Sequence, residues 1–164
     1  MKQDRFLIGI LAFIGVLVIA AVALFLFRSK TPAYGTEATP QGVVYNYALA
    51  LQKGDYTRAY ASLADEPGKP AYDSFQRAFI TRQLDPSTFA LQVGEVQLLA
   101  NGEALVSLTI QYPPGGIFES GSSSTNQAAL VKQGGAWKIT SLPFPYWGFD
   151  WYTPTPAPTL TPLK

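Results

Sequence analysis

The sequence predicts an α+β protein in which an amino-terminal transmembrane helix precedes about three helices packed on a curved antiparallel sheet of about four strands. The first observation is residues 6–27, from Phe6 to Phe27, which contain no charge, amide or proline. The second is the order of patterns after residue 38, where apolar residues recur at helical spacing and two hairpin patterns follow. That order is typical of helices lying on one face of an antiparallel sheet.

Residues 6–27 are long enough to span a membrane. A helix of 22 residues measures about 33 Å, and the hydrocarbon core of a bilayer is about 30 Å thick. The alternative is a cleaved signal peptide, since residues 1–5 are basic and residues 21–23 (AVA) match a small-residue cleavage site. The apolar run continues past that site to Phe27, so we expect an uncleaved anchor. The absence of cysteine excludes a lipoprotein anchor.

The orientation depends on the basic residues that flank the anchor. Lys2 and Arg5 precede it and Arg28 and Lys30 follow it, so the positive-inside count is balanced. The very short leading tail favours an amino terminus inside and a domain outside the cell membrane. A domain on that side without cysteine forms no disulfides and depends on its core for stability.

The helical part begins after a turn-rich linker, residues 28–38. Thr39 and Pro40 are typical of a helix start, and Gly54 is typical of a helix end, so we expect a helix over residues 40–53. Asp55 caps a second helix, and a third begins near Pro70 and ends before residue 85. These short amphipathic helices need a sheet to cover them.

The sheet follows as two hairpins. Residues 88–99 and 104–112 flank Asn101 and Gly102, and residues 125–132 and 137–142 flank two further glycines. Gly94 interrupts the first strand and indicates a bulge. We expect residues 113–124 to form a long connection with a mobile serine-rich end, and Trp137 and Ile139 to face the core.

Two segments resemble a known family. Residues 51–63 (LQKGDYTRAYASL) and 134–142 (GGAWKITSL), in this element order, are similar to the nuclear transport factor 2-like superfamily. Within this superfamily, the chain most resembles the extracytoplasmic members and the amino-terminal domain of some penicillin-binding transpeptidases. The resemblance covers residues 39–142 and implies a cone-like domain whose sheet and helices enclose a pocket. With its aromatic closing segment, we expect this domain to span residues 39–152. The superfamily includes isomerases, dehydratases and domains without activity.

The chain contains few of the residue types that usually carry out catalysis. Histidine and cysteine are absent, which removes the side chain best suited to proton transfer near neutral pH and the usual transition-metal ligands, so we expect no metal and no cofactor. The resemblance to ketosteroid isomerases implies an acid and a tyrosine as a catalytic pair, for which Tyr47 and Glu95 are the candidates. The alternative is a core tyrosine and a solvated glutamate.

An aromatic segment, residues 144–152, closes the domain, and a Thr/Pro-rich tail, residues 153–164, follows it. We expect the tail to be disordered. The aromatic rings can pack on the domain, lie in the headgroup layer of a membrane or bind a ligand. We expect the first, with Trp147 and Trp151 at least partly buried. The candidate ligand or interface residues are Tyr146, Trp147, Phe149, Trp151 and Tyr152.

The composition limits the possible functions mainly by excluding some of them. Eight basic and ten acidic residues follow residue 30, which gives no electrostatic basis for nucleic acid binding. We expect a non-catalytic binding or assembly module of the cell envelope, held in the lipid bilayer by residues 6–27. Its partner would be an envelope protein, a glycan or a small apolar ligand. The alternatives are a small-molecule enzyme that uses the acid and tyrosine pair, which requires an open cone, and a glycan-binding module that uses the aromatic segment.

Overall fold

The computed structural model describes residues 3–28, 32–116 and 120–153. It divides into two units, Met1–Ala33 and Tyr34–Lys164. In the first unit, helix α1 spans Gln3–Arg28 and is about 39 Å long at 1.5 Å per residue. The side chains of residues 7–24 are apolar and almost all exposed, and this stretch of the helix is long and apolar enough to cross a membrane.

Three further helices begin the second unit. Helix α2 spans Pro40–Lys53, α3 spans Tyr56–Ala61 and α4 spans Tyr72–Ile80. The Thr39 hydroxyl accepts a hydrogen bond from the Gly42 amide at 3.2 Å, and Gly54 ends α2 in the left-handed conformation with φ of 71°. The helix start and end predicted at Thr39 and Gly54 are therefore confirmed.

A four-stranded antiparallel sheet follows a short 3-10 helix, Pro86–Thr88. Its strands are β1 (Ala90–Leu98), β2 (Ala104–Tyr112), β3 (Ser122–Gln133) and β4 (Ala136–Ser141), and they pair in chain order. The predicted α+β class, with an amino-terminal apolar helix, three helices and four strands, is confirmed. The predicted bulge is also present, because Gly94 and Glu95 of β1 together face Ser107 of β2. A side chain at residue 94 would bring a Cβ within 3.2 Å of the Ser107 carbonyl oxygen.

One expectation about the strands is wrong and another is confirmed. The serine-rich stretch is part of β3, because Ser122, Ser123 and Ser124 pair with the last three residues of β2 and lengthen that ladder. Composition indicated a loop there, but cross-strand pairing decided the conformation. Trp137 and Ile139 face the core as predicted, with Ile139 fully buried and Trp137 packed against the core but only half-buried. Trp137 lies near the start of β4, opposite Lys132, whose ammonium lies 5.8 Å from the centre of the indole.

The core lies between the helices and the inner face of the sheet. Alternate residues of β2, namely Ala104, Val106, Leu108 and Ile110, are buried, as the period-two pattern predicts. The outer edge of β4 is covered by residues 62–64: the Ile139 amide donates to the Ser62 carbonyl, and the Ile139 carbonyl accepts from the Ala64 amide, both at 2.9 Å. This edge is therefore closed by the protein's own chain.

The segment upstream of α2 is docked on the helices, so the compact unit begins at Tyr34, five residues before the predicted domain start at Thr39. Residues 34–37 form a strap. Asn46, only 1% exposed, accepts from the Gly35 amide at 2.8 Å and donates to the Gly35 carbonyl at 2.9 Å and to the Glu37 carboxylate at 3.1 Å. Burying an amide side chain requires such partners. The second half of the predicted linker supplies them.

Charged side chains complete the strap. The Arg58 guanidinium forms an ion pair with Glu37 at 2.6 Å and lies over the Tyr34 ring at 3.7 Å from its centre. The hydrogen bond from Arg58 lowers the pKa of Glu37 below its ordinary value. Residues 34–37 are thus held by an amide, an ion pair and a ring contact at once.

Candidate functional site

The chain after β4 returns to the core as a closing segment, residues 143–152. Tyr146 lies fully buried in the middle of it. Its carbonyl accepts a hydrogen bond of 2.8 Å from the Tyr47 hydroxyl of α2, and its own hydroxyl donates to the Phe89 carbonyl at 3.4 Å. The closing segment is therefore bonded both to the first helix of the domain and to the residue that precedes β1.

Two tryptophans of the closing segment fill the interior. Trp147 and Trp151 are buried, and their ring centres lie 5.2 Å apart in an edge-to-face arrangement. Trp147 lies 6.4 Å from the Tyr47 ring of α2, and Trp151 lies 5.3 Å from the Phe75 ring of α4. The burial expected of both tryptophans is confirmed, and their rings belong to the core of the domain.

Two glycines allow this close packing. A Cβ at Gly148 would lie 2.5 Å from the Trp151 indole nitrogen, and a Cβ at Gly68 would lie 2.8 Å from the Tyr152 Cα. The Tyr152 amide also donates to the Gly68 carbonyl at 2.9 Å. A side chain at Gly148 would collide with the Trp151 ring, and one at Gly68 would collide with the backbone of the closing segment at Tyr152.

The buried tyrosines are poor acids and bases near neutral pH. Burial raises the pKa of Tyr47 well above its ordinary value and that of Tyr146 to about 12. The pKa of Tyr152 is raised by burial and further by the nearby Glu66 and Asp65. All three hydroxyls stay protonated and act as hydrogen-bond donors.

The candidate catalytic pair is divided between interior and surface. Tyr47 is buried and its hydroxyl is bonded to the Tyr146 carbonyl, whereas Glu95 is exposed in the bulge of β1. Among residues 3–28, 32–116 and 120–153, no group of acidic side chains is placed to hold a metal ion.

The exposed part of the closing segment borders a cleft of about 490 Å³. Phe144 and Phe149 are 44% and 83% exposed, and their rings are nearly parallel at 11° with centres 5.7 Å apart. The apolar wall of the cleft comprises these two rings with Ala78, Leu84 and Trp151, and the polar wall comprises Ser74, Arg77, Gln83 and Asp150. Of the aromatic candidates, Phe149 is thus the ring most open to a ligand.

The polar side chains of this cleft retain their bonding capacity. Within the described part of the chain, the side chains of Arg77, Gln83 and Asp150 form no hydrogen bond or ion pair. Sequence reasoning missed these residues because α4 and the closing segment are far apart along the chain. The only local signal was Gly148-Phe149-Asp150, a large ring between a glycine and an acid.

No protein-family model matches this chain, and no curated protein matches it. Among solved structures, an NTF-2 like protein of unknown function from Shewanella oneidensis MR-1 is 14% identical, with a TM-score of 0.43 over 60% of this chain and 88% of its own. A ketosteroid isomerase-like protein from Erwinia carotovora atroseptica SCRI1043 is 17% identical, with a TM-score of 0.42 over 63% of this chain and 89% of its own.

A third similar structure is RPA3114, a SEC-C motif containing protein from Rhodopseudomonas palustris, at 13% identity and a TM-score of 0.46 over 65% of this chain and 79% of its own. None of the three is described as a penicillin-binding transpeptidase. Two of them bear names from the superfamily that the sequence resembles, and the likeness concerns the fold alone.

Proposed function

We propose that this protein is a single-pass membrane-anchored module of the cell envelope that binds a partner and catalyses no reaction. Residues 6–27 would anchor it, with the amino terminus inside and the domain outside. The observation that carries the proposal is the filled interior, in which Tyr146, Trp147 and Trp151 pack against α2 and α4.

The filled interior favours binding over catalysis. An enzyme needs a water-accessible pocket in which polar groups converge on the reacting atoms. Here the groups that point inward are rings and protonated hydroxyls already bonded to backbone carbonyls. Removing the closing segment to open a pocket would expose two tryptophans and leave the Tyr47 hydroxyl without its acceptor, which makes such opening costly.

A membrane anchor is favoured by helix α1. A helix that is apolar on every side is unstable as an exposed element in water and stable across a bilayer. Partner binding then falls to the outer surface of the domain, where the cleft beside Phe144 and Phe149 is the candidate that combines an exposed aromatic pair with polar side chains.

Protease accessibility tests the anchor and its orientation. The full chain, tagged after Lys164, is expressed in cells, and protease is added to intact and to permeabilised cells. We expect digestion of the domain in intact cells while α1 remains in the membrane fraction. Digestion only after permeabilisation would reverse the orientation, and a soluble domain that begins near Leu24 would show a cleaved signal peptide.

A further inference from the structure

We infer that the cleft between α4 and the Phe144–Phe149 pair binds a neutral saccharide. This inference rests on the proposed function and names its site and ligand class. Three features of the cleft carry it: an exposed aromatic platform, a polar wall that holds both donors and acceptors, and a charge balance of zero.

The platform consists of two stacked rings. Phe144 and Phe149 lie at 11° to each other with centres 5.7 Å apart, so Phe144 supports the Phe149 ring, which remains open to solvent. Phe149 is 83% exposed, and an aromatic ring that exposed next to a formed cleft indicates a binding surface. The weakly positive C–H groups on one face of a sugar ring pack well on the negative face of an aromatic ring.

The polar wall matches hydroxyl groups. Arg77 only donates hydrogen bonds, Asp150 only accepts them, and Ser74 and Gln83 do both. Neighbouring hydroxyls on a sugar ring each donate and accept, so they satisfy a guanidinium and a carboxylate together. A purely apolar ligand would leave both charged groups without partners as it displaced their water.

The charge and the volume of the cleft restrict the class of ligand further. Arg77 and Asp150 contribute one charge of each sign, so the cleft favours neither an anion nor a cation. Its volume of about 490 Å³ lies within the usual range of small-molecule sites, about 300–1,000 Å³, which suits a short oligosaccharide. Insertion of Phe149 into a bilayer is less favourable because it would carry the adjacent Asp150 carboxylate into the headgroup layer.

Part of the cleft is packed into the core. Its lining includes Trp151, which is buried against Phe75 and Phe79, and Gly148, which lies against the Trp151 indole. Side chains that are already held by such packing lose little conformational freedom when a ligand binds. Trp151 also supplies an intrinsic fluorescence signal at the site.

The test uses the full chain in phosphatidylethanolamine and phosphatidylglycerol nanodiscs. Chitotetraose, cellotetraose and maltotetraose are titrated by tryptophan fluorescence and calorimetry at low and high salt. We expect at least one to bind with a salt-independent Kd. Phe149→Ala should weaken binding by about tenfold or more, and Arg77→Gln and Asp150→Asn by several-fold each. Leu98→Ala, which removes an apolar side chain 67% exposed on β1, is the matched control and should bind normally.

Two results of these titrations would overturn the inference. One is the absence of binding by all three tetrasaccharides up to about 10 mM, a concentration at which only contacts weaker than about 3 kcal/mol go undetected. The other is binding that Phe149→Ala leaves unchanged. A Phe149→Trp variant in nanodiscs of brominated lipid covers the membrane alternative, because strong quenching of the new indole would assign the ring to the bilayer and reject the saccharide site.

The protease test of orientation is independent of these titrations. Cosedimentation of the full chain with isolated, insoluble envelope material separates the two proposals. Sedimentation that persists in Phe149→Ala and is not competed by the tetrasaccharides would leave the binding module in place and reject the site. A domain that faces inward and does not sediment would reject the proposed function itself.

Discussion

The Tyr47 hydroxyl donates a 2.8 Å hydrogen bond to the carbonyl oxygen of Tyr146, a residue 99 positions further along the chain. Both residues are buried, so no water replaces either partner. This one bond joins the first helix of the domain to the segment that closes it.

Tyr47→Phe tests that bond. The substitution keeps the ring and leaves the Tyr146 carbonyl buried without its donor, which typically costs about 1–3 kcal/mol. Urea denaturation should show this decrease in the free energy of unfolding. Tyr45→Phe, at an exposed position on the same helix, should change it by less than about 0.5 kcal/mol. Equal effects of the two variants would contradict the role assigned to the bond.

The closing segment should contribute more to the core than the last strand does. Trp151→Ala removes a buried ring and should cost about 3–5 kcal/mol. Trp137→Ala removes a half-buried ring and should cost roughly 1–2 kcal/mol, since the stabilisation scales with the apolar area covered. Thermal and urea unfolding of both variants would check the order. A larger loss for Trp137→Ala would mean that the segment packs loosely.

Asn46→Ala should release the strap. Without the amide side chain, the Gly35 amide and carbonyl lose their partners, so the Gly35 amide should exchange with deuterium far faster while the β2 amides stay protected. The matched control is Asn101→Ala, whose side chain accepts one bond in an exposed turn. Continued protection of Gly35 in Asn46→Ala would show that the Arg58–Glu37 pair alone holds the strap.

The buried tyrosines predict a loss of stability in alkali. The pKa of Tyr146 is about 12 in the folded protein and about 10 when it is exposed, so the unfolded chain releases this proton first. Its contribution is fully present below pH 10 and is lost as the pH rises toward 12. Free energies of unfolding at pH 8, 10 and 11 should fall in that order. Tyr146→Phe should show a shallower decline, and an unchanged slope would exclude this tyrosine as a cause.

Local signals in the sequence predicted much of the fold. Gly94, Gly134 and Gly135 marked the bulge and the second hairpin because their roles depend only on neighbouring residues. The burial of Trp147 and Trp151 followed from the tendency of large rings to leave water. Ser122–Ser124 were misjudged because strand conformation there depends on pairing with β2, which composition does not report.

The candidate site was less predictable because it is assembled from distant segments. Arg77 and Asp150 are 73 positions apart and line the same cleft, where Trp151 packs against Phe75. Asn46 likewise has a polar side chain in an otherwise apolar stretch of helix, and its partners belong to a strap with no regular structure. No period or motif links such residues, so only the folded chain reveals them.

The docking of the strap has a mechanical consequence. Tension applied to the chain before Tyr34 acts first on two sets of contacts. One set is the hydrogen bonds of Asn46 with Gly35 and Glu37, and the other is the contact of Arg58 with the Tyr34 ring and its ion pair with Glu37. These contacts share the load, so it is distributed over the sides of α2 and α3 and does not concentrate at Thr39, where α2 begins. We expect tension to detach the strap as a unit before it unwinds the first turn of α2.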